Sequence, residues 1–293
     1  MSAFTQIDLS QLPPPEIIEQ VSYETILEEM VADLQARDST FDALVESDPG
    51  FKILEVAAYR EFLLRQQFNE RARGALIAYA RSGDLENLAA FFGVERLVID
   101  PGDPDAVPPI EPTYETDENL RRRTQLALEG FSTAGPQGAY IFHSLSIAGV
   151  KDVSVVSPVP GDVEVTVLST DGDGTPAPEL VAAVNDVLNA EDTRPLTDNV
   201  TVQAATISNY TVEATLYILP GPDPTVVQSA AEAAVQAYVD SVHKVGAEVR
   251  TTALIAALHV SGVEYVELTA PAADIINDTS EAAFCTNITV TAA

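Results

Sequence analysis

One cysteine, no tryptophan, three histidines and only 15 lysines and arginines in 293 residues exclude several kinds of protein at once. The single Cys285 forbids an internal disulfide and fits a chain made in a reducing cytosol. His143, His243 and His259 fall in no His-x-x-x-His or His/Cys cluster, so no zinc motif is present. No apolar run approaches the length that spans a bilayer. The opening "MSAFTQIDLSQLPPPE" lacks the basic start and apolar stretch of a signal peptide. The Asn-x-Ser/Thr sequons at Asn199, Asn209, Asn277 and Asn287 are then most simply Thr-rich strands and loops.

Basic residues are scarce enough to shape the whole surface. Against 45 carboxylates they leave a formal net charge of -30. Residues 1–150 hold 11 bases and 25 acids, and residues 151–293 hold 4 bases and 20 acids. Neither nucleic acid nor an anionic membrane is a partner for such a surface. Solubility explains part of the charge; docking against a basic neighbour is the sharper alternative. Hydrophobic content of 46% with 20% charged residues is globular, and the length suits two or three domains.

Motifs for chemistry are equally thin. Gly172, Gly174 and Ala177 in "DGDGTPA" fit the dinucleotide spacing. Asp171 and Asp173, however, would face the pyrophosphate, and Pro176 and Pro178 remove donors. A flexible turn is the better reading, and the calcium-loop pattern is absent. "GFSTAG" (130–135) misses the nucleophile-elbow spacing by one residue. Cys285 lacks an activating basic neighbour. No catalytic residue, metal ligand or cofactor site is assigned.

What is present begins with helices. Tyr23, Leu27, Met30 and Leu34 recur 4, 3 and 4 apart, an apolar seam in a helix expected over 16–36 behind Pro13, Pro14 and Pro15. Its other faces are acidic. A second helix, expected from the "SDPG" turn to about Arg81 unless broken at Gly74, is rich in arginine and apolar over a wide arc. An intramolecular hairpin and a bundle shared with other subunits fit this pair equally. A short helix follows over 82–98, with Asp84 as N-cap and Gly93 as terminator. "PGDPDAVPPIEP" (101–112) is expected to be an extended linker. A helix from near Thr116 to Gly130 comes next.

After about residue 135 the pattern alternates short strands and helices: helices over 137–148, 178–190, 225–242 and 251–260, strands at "VKDVSVV", "DVEVTVL" and "YTVEATLYIL". "SLSIAGVKDVSVVSP" and "ALHVSGVEYVELTAP" share a helix end, Gly-Val, strand and Pro, which suggests two related units. The fold class expected is multidomain α+β. A helical region (1–98) and a Pro-rich acidic linker (99–115) precede two α+β units with small mixed sheets (116–205 and 206–293).

The most distinctive words lie in a joint, "RPLTDNVTVQAA" (194–205). Pro195 stops a helix, Leu196 is the expected local apolar anchor, and Asp198–Asn199 favours a turn that sets the register of Val200 and Val202. Arg194 either pairs with Asp198 or Asp192 to clamp the helix-to-strand angle, or is solvated. This joint resembles the RPLTD-type joint of the baseplate assembly protein J family of contractile-tailed phages. "DLENLAAFFGVERLV" (84–98), "LRRRTQLALEGFSTAGPQGAYIFH" (120–143) and "GVKDVSVVSPVPGDVEVTVL" (149–168) look like the family's other signatures, in the family's order. The linker and the last fifteen or so residues diverge.

The resemblance implies a non-catalytic wedge subunit of a baseplate in a phage tail or tail-like particle. It further implies a second copy and a protein I-like partner, N-terminal helices in a core bundle through Tyr23, Leu27, Met30 and Leu34, and later domains that link wedges around the hub. A lysozyme-like-fold wedge protein would bridge to the sheath. The competing reading is a non-catalytic surface or carbohydrate-binding module. That role needs an exposed aromatic platform, and most Phe and Tyr lie in the helical half.

Overall fold

The computed structural model describes residues 9, 12, 13, 15–42, 44–130, 132, 136–191, 193–221 and 223–293. The described chain forms eight α-helices and eight strands, in the expected multidomain α+β class. One compact unit takes the chain up to Arg96 together with Thr116–Thr124; a second takes Leu97–Glu115 and Gln125–Ala293.

In the helical unit, α1 (Tyr23–Arg37) starts seven residues later than the seam pattern alone suggests. Ser22 is extended and its hydroxyl accepts the Thr25 N–H at 3.3 Å, which fixes the N-cap there. The residues before it form a strap instead. The Asn69 side-chain amide donates to the Glu19 carbonyl (2.8 Å) and accepts its N–H (3.1 Å). Helix α2 (Pro49–Gly74) begins with Pro49 in its first turn and stops well short of Arg81. Its last residue is the poor helix former Gly74, and the Asp84 carboxylate lies 2.7 Å from where a Cβ there would stand. At 1.5 Å per residue, α2 is about 39 Å long. Ile26 of α1 (3% exposed) and Ala58 of α2 (fully buried) mark the packed side of this pair.

Helix α3 (Ser82–Ala90) is capped by Arg81, not by the expected Asp84. Ser82 takes a positive φ of 47°, and the Asp117 carboxylate accepts its N–H at 3.0 Å. The far end closes as the sequence suggests. Gly93 has φ 72°, with Gly93 N–H bonded to the Ala90 carbonyl and Val94 N–H to that of Ala89, a Schellman ending. Helix α4 (Asp117–Gly130) supplies the arginines that staple the unit. Arg121 donates to the Ile77 and Ala80 carbonyls (both 2.7 Å), and Arg123 to that of Glu95 (3.0 Å).

The Pro-rich stretch is not an extended linker. Strand β1 (Val98–Asp100) pairs antiparallel with β2 (Thr113–Tyr114), and Asp103 and Ile110 exchange both backbone hydrogen bonds at 2.9 Å. The chain thus doubles back as an arm. Gly102 permits it: φ is 70°, and any Cβ would collide with the backbone of Ile110 and Glu111.

The first α+β fold runs α5 (Gln137–Leu145), β3 (Val150–Val156), β4 (Asp162–Ser169), α6 (Pro178–Leu188) and β5 (Asn199–Ala204). Its sheet has the order β3-β4-β5, antiparallel then parallel. Valines 153, 155, 163, 165, 167 and 200 meet Tyr140, Val184 and Leu188 in one core. The second fold runs β6 (Thr206–Ile218), α7 (Pro224–Val242), α8 (Thr251–Leu258), β7 (Val263–Ala270) and β8 (Glu281–Ala292), in the order β7-β6-β8. Tyr210, Val212, Ala214 and Leu216 alternate inward on β6. They face Val227, Ala231, Val235 and Val239 of α7.

The two sheets share a pattern. Each has a central strand, β4 or β6, with an antiparallel edge on one side and a parallel edge on the other. In both, a helix feeds the antiparallel edge through a positive-φ glycine, Gly149 or Gly262. The chain order differs: the helix-plus-edge piece precedes the central strand in the first fold and follows it in the second. The divergent C-terminus is β8, a full partner of β6 with Ala282, Ala283 and Val290 buried.

Candidate interaction surfaces

Three places concentrate unusual side chains. The first is the helical pair. Ile26 is the buried contact of α1, while Tyr23, Leu27, Met30 and Leu34 sit half-buried beside it. The outward side of α1 carries Glu24, Glu28, Glu29 and Asp33, and Arg37 pairs with Asp33 at 3.0 Å. On α2 the outward face is apolar and basic. Ile53 (70% exposed), Val56, Leu64 and Phe68 stand in water beside Arg60 and Arg71. An apolar cavity of about 660 Å³ opens in the same unit, lined by Leu12, Pro15, Leu76, Tyr79, Leu88 and Phe91 among others.

The second is the joint. Arg194 donates to the Asp198 carbonyl oxygen at 3.2 Å, not to its carboxylate. That carboxylate accepts from the Tyr140 hydroxyl at 2.8 Å, and the Asn199 N–H closes on Gly161 at 2.7 Å. Asp198 and Asn199 are therefore the pivot: Asp198 holds α5 through Tyr140, and Asn199 holds the β3–β4 turn. Tyr140 is 2% exposed; burial first, then the bond to Asp198, pushes its phenol above the ordinary range. Leu196 is not a local anchor: it is 97% exposed and packs on nothing among the described residues. Pro195 is half-buried, as is Val202, while Val200 enters the core. Asp192, Pro14 and most of "GFSTAG" lie outside the described residues.

The third is a polar clasp that joins the two α+β folds, and sequence reasoning missed it. Lys151 Nζ lies 2.7 Å from His243 Nδ1, His243 Nε2 lies 3.1 Å from the Asp173 carbonyl, and Asp152 accepts the Val245 N–H at 3.0 Å. Phe284 leans on the imidazole with centroids 5.2 Å apart. The "DGDG" turn, read as a flexible connection, is packed: a Cβ on Gly174 would lie 2.6 Å from Leu168 and 2.9 Å from His243. Burial, then the Lys151 ammonium, holds the His243 pKa below its ordinary value. Burial lowers that of Lys151 as well. A register shift at Val150/Asp152 turns Asp152 inward, a bulge that charge patterning gives no sign of.

Among the described residues, no group of three or more His, Cys, Asp and Glu side chains is placed to share a metal ion. Nor is any described helix long and apolar enough to cross a membrane. Tyr217 and Tyr265 stack on each other across β6 and β7 at 4.1 Å, each covering one face of the other.

These features define a class: a multidomain α+β protein that carries exposed apolar and charged faces on folded units. The chain belongs to the baseplate J-like family. The N-terminal, central and C-terminal domain models of that family match residues 46–103, 132–204 and 210–291 in turn. It is also 42% identical over 292 residues to baseplate protein J of Escherichia phage P2, covering 97% of each chain.

Proposed function

We propose that this chain is a structural wedge component of the baseplate of a contractile phage tail or tail-like particle, non-catalytic and without a cofactor. The observation that carries this reading is whole-length kinship: three successive domain matches and a relative of baseplate name over 97% of the chain. It assembles with a second copy of itself and with a protein I-like partner, and a lysozyme-like-fold wedge protein lies toward the sheath. Residues 1–98 contribute helices to a core bundle and 99–115 connect them to the later folds. Segments 116–205 and 206–293 build the ring around the hub.

Physical support comes from α1 and α2. Their seam residues Tyr23, Leu27, Met30 and Leu34 remain half-buried after the two helices have packed, so apolar area is left for a further helix. In the joint, Arg194, Pro195 and Asp198 hold the helix-to-strand angle, while the exposed Leu196 is left to meet a neighbour. The test is native mass spectrometry of the chain, alone and co-expressed with its genomic neighbours. A defined complex of two copies with a different partner is expected. A monomer indifferent to every neighbour would remove the wedge reading.

A further inference from the structure

We propose that the 97–115 arm of one copy docks on the outer α2 face of a second copy, acidic apolar hairpin on basic apolar helix. The inference rests on the reading above that copies of this chain meet during assembly. It adds where they touch.

The arm is built to hold apolar groups in water. Val98 faces Tyr114 across the ribbon, and Ile99 sits at the bulge between Val98 and Asp100; these three, with Val107 (98% exposed) and Ile110, are all solvent-exposed. A lone two-stranded ribbon is marginal in water. This one is pinned nonetheless, by the Asp103–Ile110 hydrogen bonds and by the close approach at Gly102. Rigid presentation lowers the entropy lost on docking. Residues 97–115 carry Asp100, Asp103, Asp105 and Glu111 on the surface and no base.

The receiving face has the opposite character. Ile53, Val56, Arg60, Leu64, Gln67 and Arg71 recur at helical spacing along one side of α2, and that row contains no carboxylate. Lys52 and Arg65 are paired with Glu55 and Glu61. Among the described residues, Arg60 and Arg71 have no carboxylate within ion-pair distance.

Neither surface is covered by the described residues of its own chain. Two chains of net charge -30 repel overall. A contact that sets one of the few basic stripes against acid is favoured over any other orientation, and these two surfaces supply that match. Arm on face is a head-to-tail contact, which closes into a ring when repeated about an axis.

The test is a charge swap in the full chain, read by native mass spectrometry with the genomic neighbours co-expressed. Arg60→Glu with Arg71→Glu, or Asp105→Lys with Glu111→Lys, should each weaken contacts between copies by about tenfold or more. All four variants together should restore them. These residues are exposed, so each variant should still fold, as read by circular dichroism, and the different-chain partner should still bind. If the swaps leave copy number unchanged, or if the combination restores nothing, the docking is refuted. A photocrosslinker at Val107 should label 51–71 of an isotopically heavy copy; label only elsewhere also refutes it. A chain that binds no neighbour and no copy removes the wedge reading itself, which separates the two failures.

Discussion

At His243 a single ring carries a testable consequence. The unfolded imidazole titrates near about 6.5, and the folded one lower, because it is buried beside the Lys151 ammonium. As pH falls through about 6.5 the unfolded chain takes up a proton that the folded chain refuses, so stability drops on acidification. Melting temperatures from pH 7 to 5 should show this slope, and His243→Gln should flatten it. Asp274 acts in a lower window. The Thr251 N–H and then Arg250 hold its carboxyl at about 2, so the stability it gives is present above about 3.9 and is lost as pH falls toward about 2. Tyr210 is simpler. Its buried hydroxyl has no hydrogen-bond partner among the described residues. Tyr210→Phe should therefore leave stability unchanged or raise it by up to about 1 kcal/mol, measured by urea unfolding.

The elements depend on their ends. Ser22 decides where α1 begins, so Ser22→Ala should cost about 1 kcal/mol in the helical unit. Leu27, Met30 and Leu34 changed together to Ser should block assembly while the folds after residue 135 keep their circular dichroism. Intact complexes from that variant would remove the bundle role. In the joint, the contact geometry ranks two substitutions. Tyr140→Phe strips a carboxylate of its buried donor, whereas Arg194→Ala removes one bond to a carbonyl. The first should cost more, about 1–3 kcal/mol against about 1, and equal losses in thermal unfolding would contradict this ranking.

Over the whole molecule, the excess of one sign of charge is the dominant surface feature. Forty-five carboxylates on one chain repel, and ion pairs such as Arg37–Asp33 and Arg65–Glu61 are exposed and worth little individually. Screening shortens that repulsion to about 8 Å at physiological salt. Thermal stability of the free chain should consequently rise with sodium chloride. Between copies, salt screens both the overall repulsion and the contacts of Arg60 and Arg71, so wild-type association should gain less from salt than that of the Arg60→Glu, Arg71→Glu variant; equal trends for the two would contradict the charge-matched interface.

Local patterns were enough for the α+β class, the strand at 150–156 and the glycine-terminated end of α3. Each rests on periodicity or on a residue whose backbone freedom is specific, as at Gly93. The family signatures were legible for a related reason: they are contiguous words. What the sequence left open depends on partners distant along the chain. Asn69 holds the strap fifty residues away, and the Asp84 carboxylate lies against the end of α2 at Gly74. The Pro-rich stretch became an arm because Asp103 could reach Ile110. The clasp formed because β3 and the end of α7, ninety-two residues apart, meet at Lys151 and His243. Leu196 shows the limit most plainly. An apolar residue after a proline suggests an anchor, but only the packed structure decides whether anything stands opposite it. Among the described residues nothing does, because burial depends on what surrounds a residue in space, and composition records only the residue.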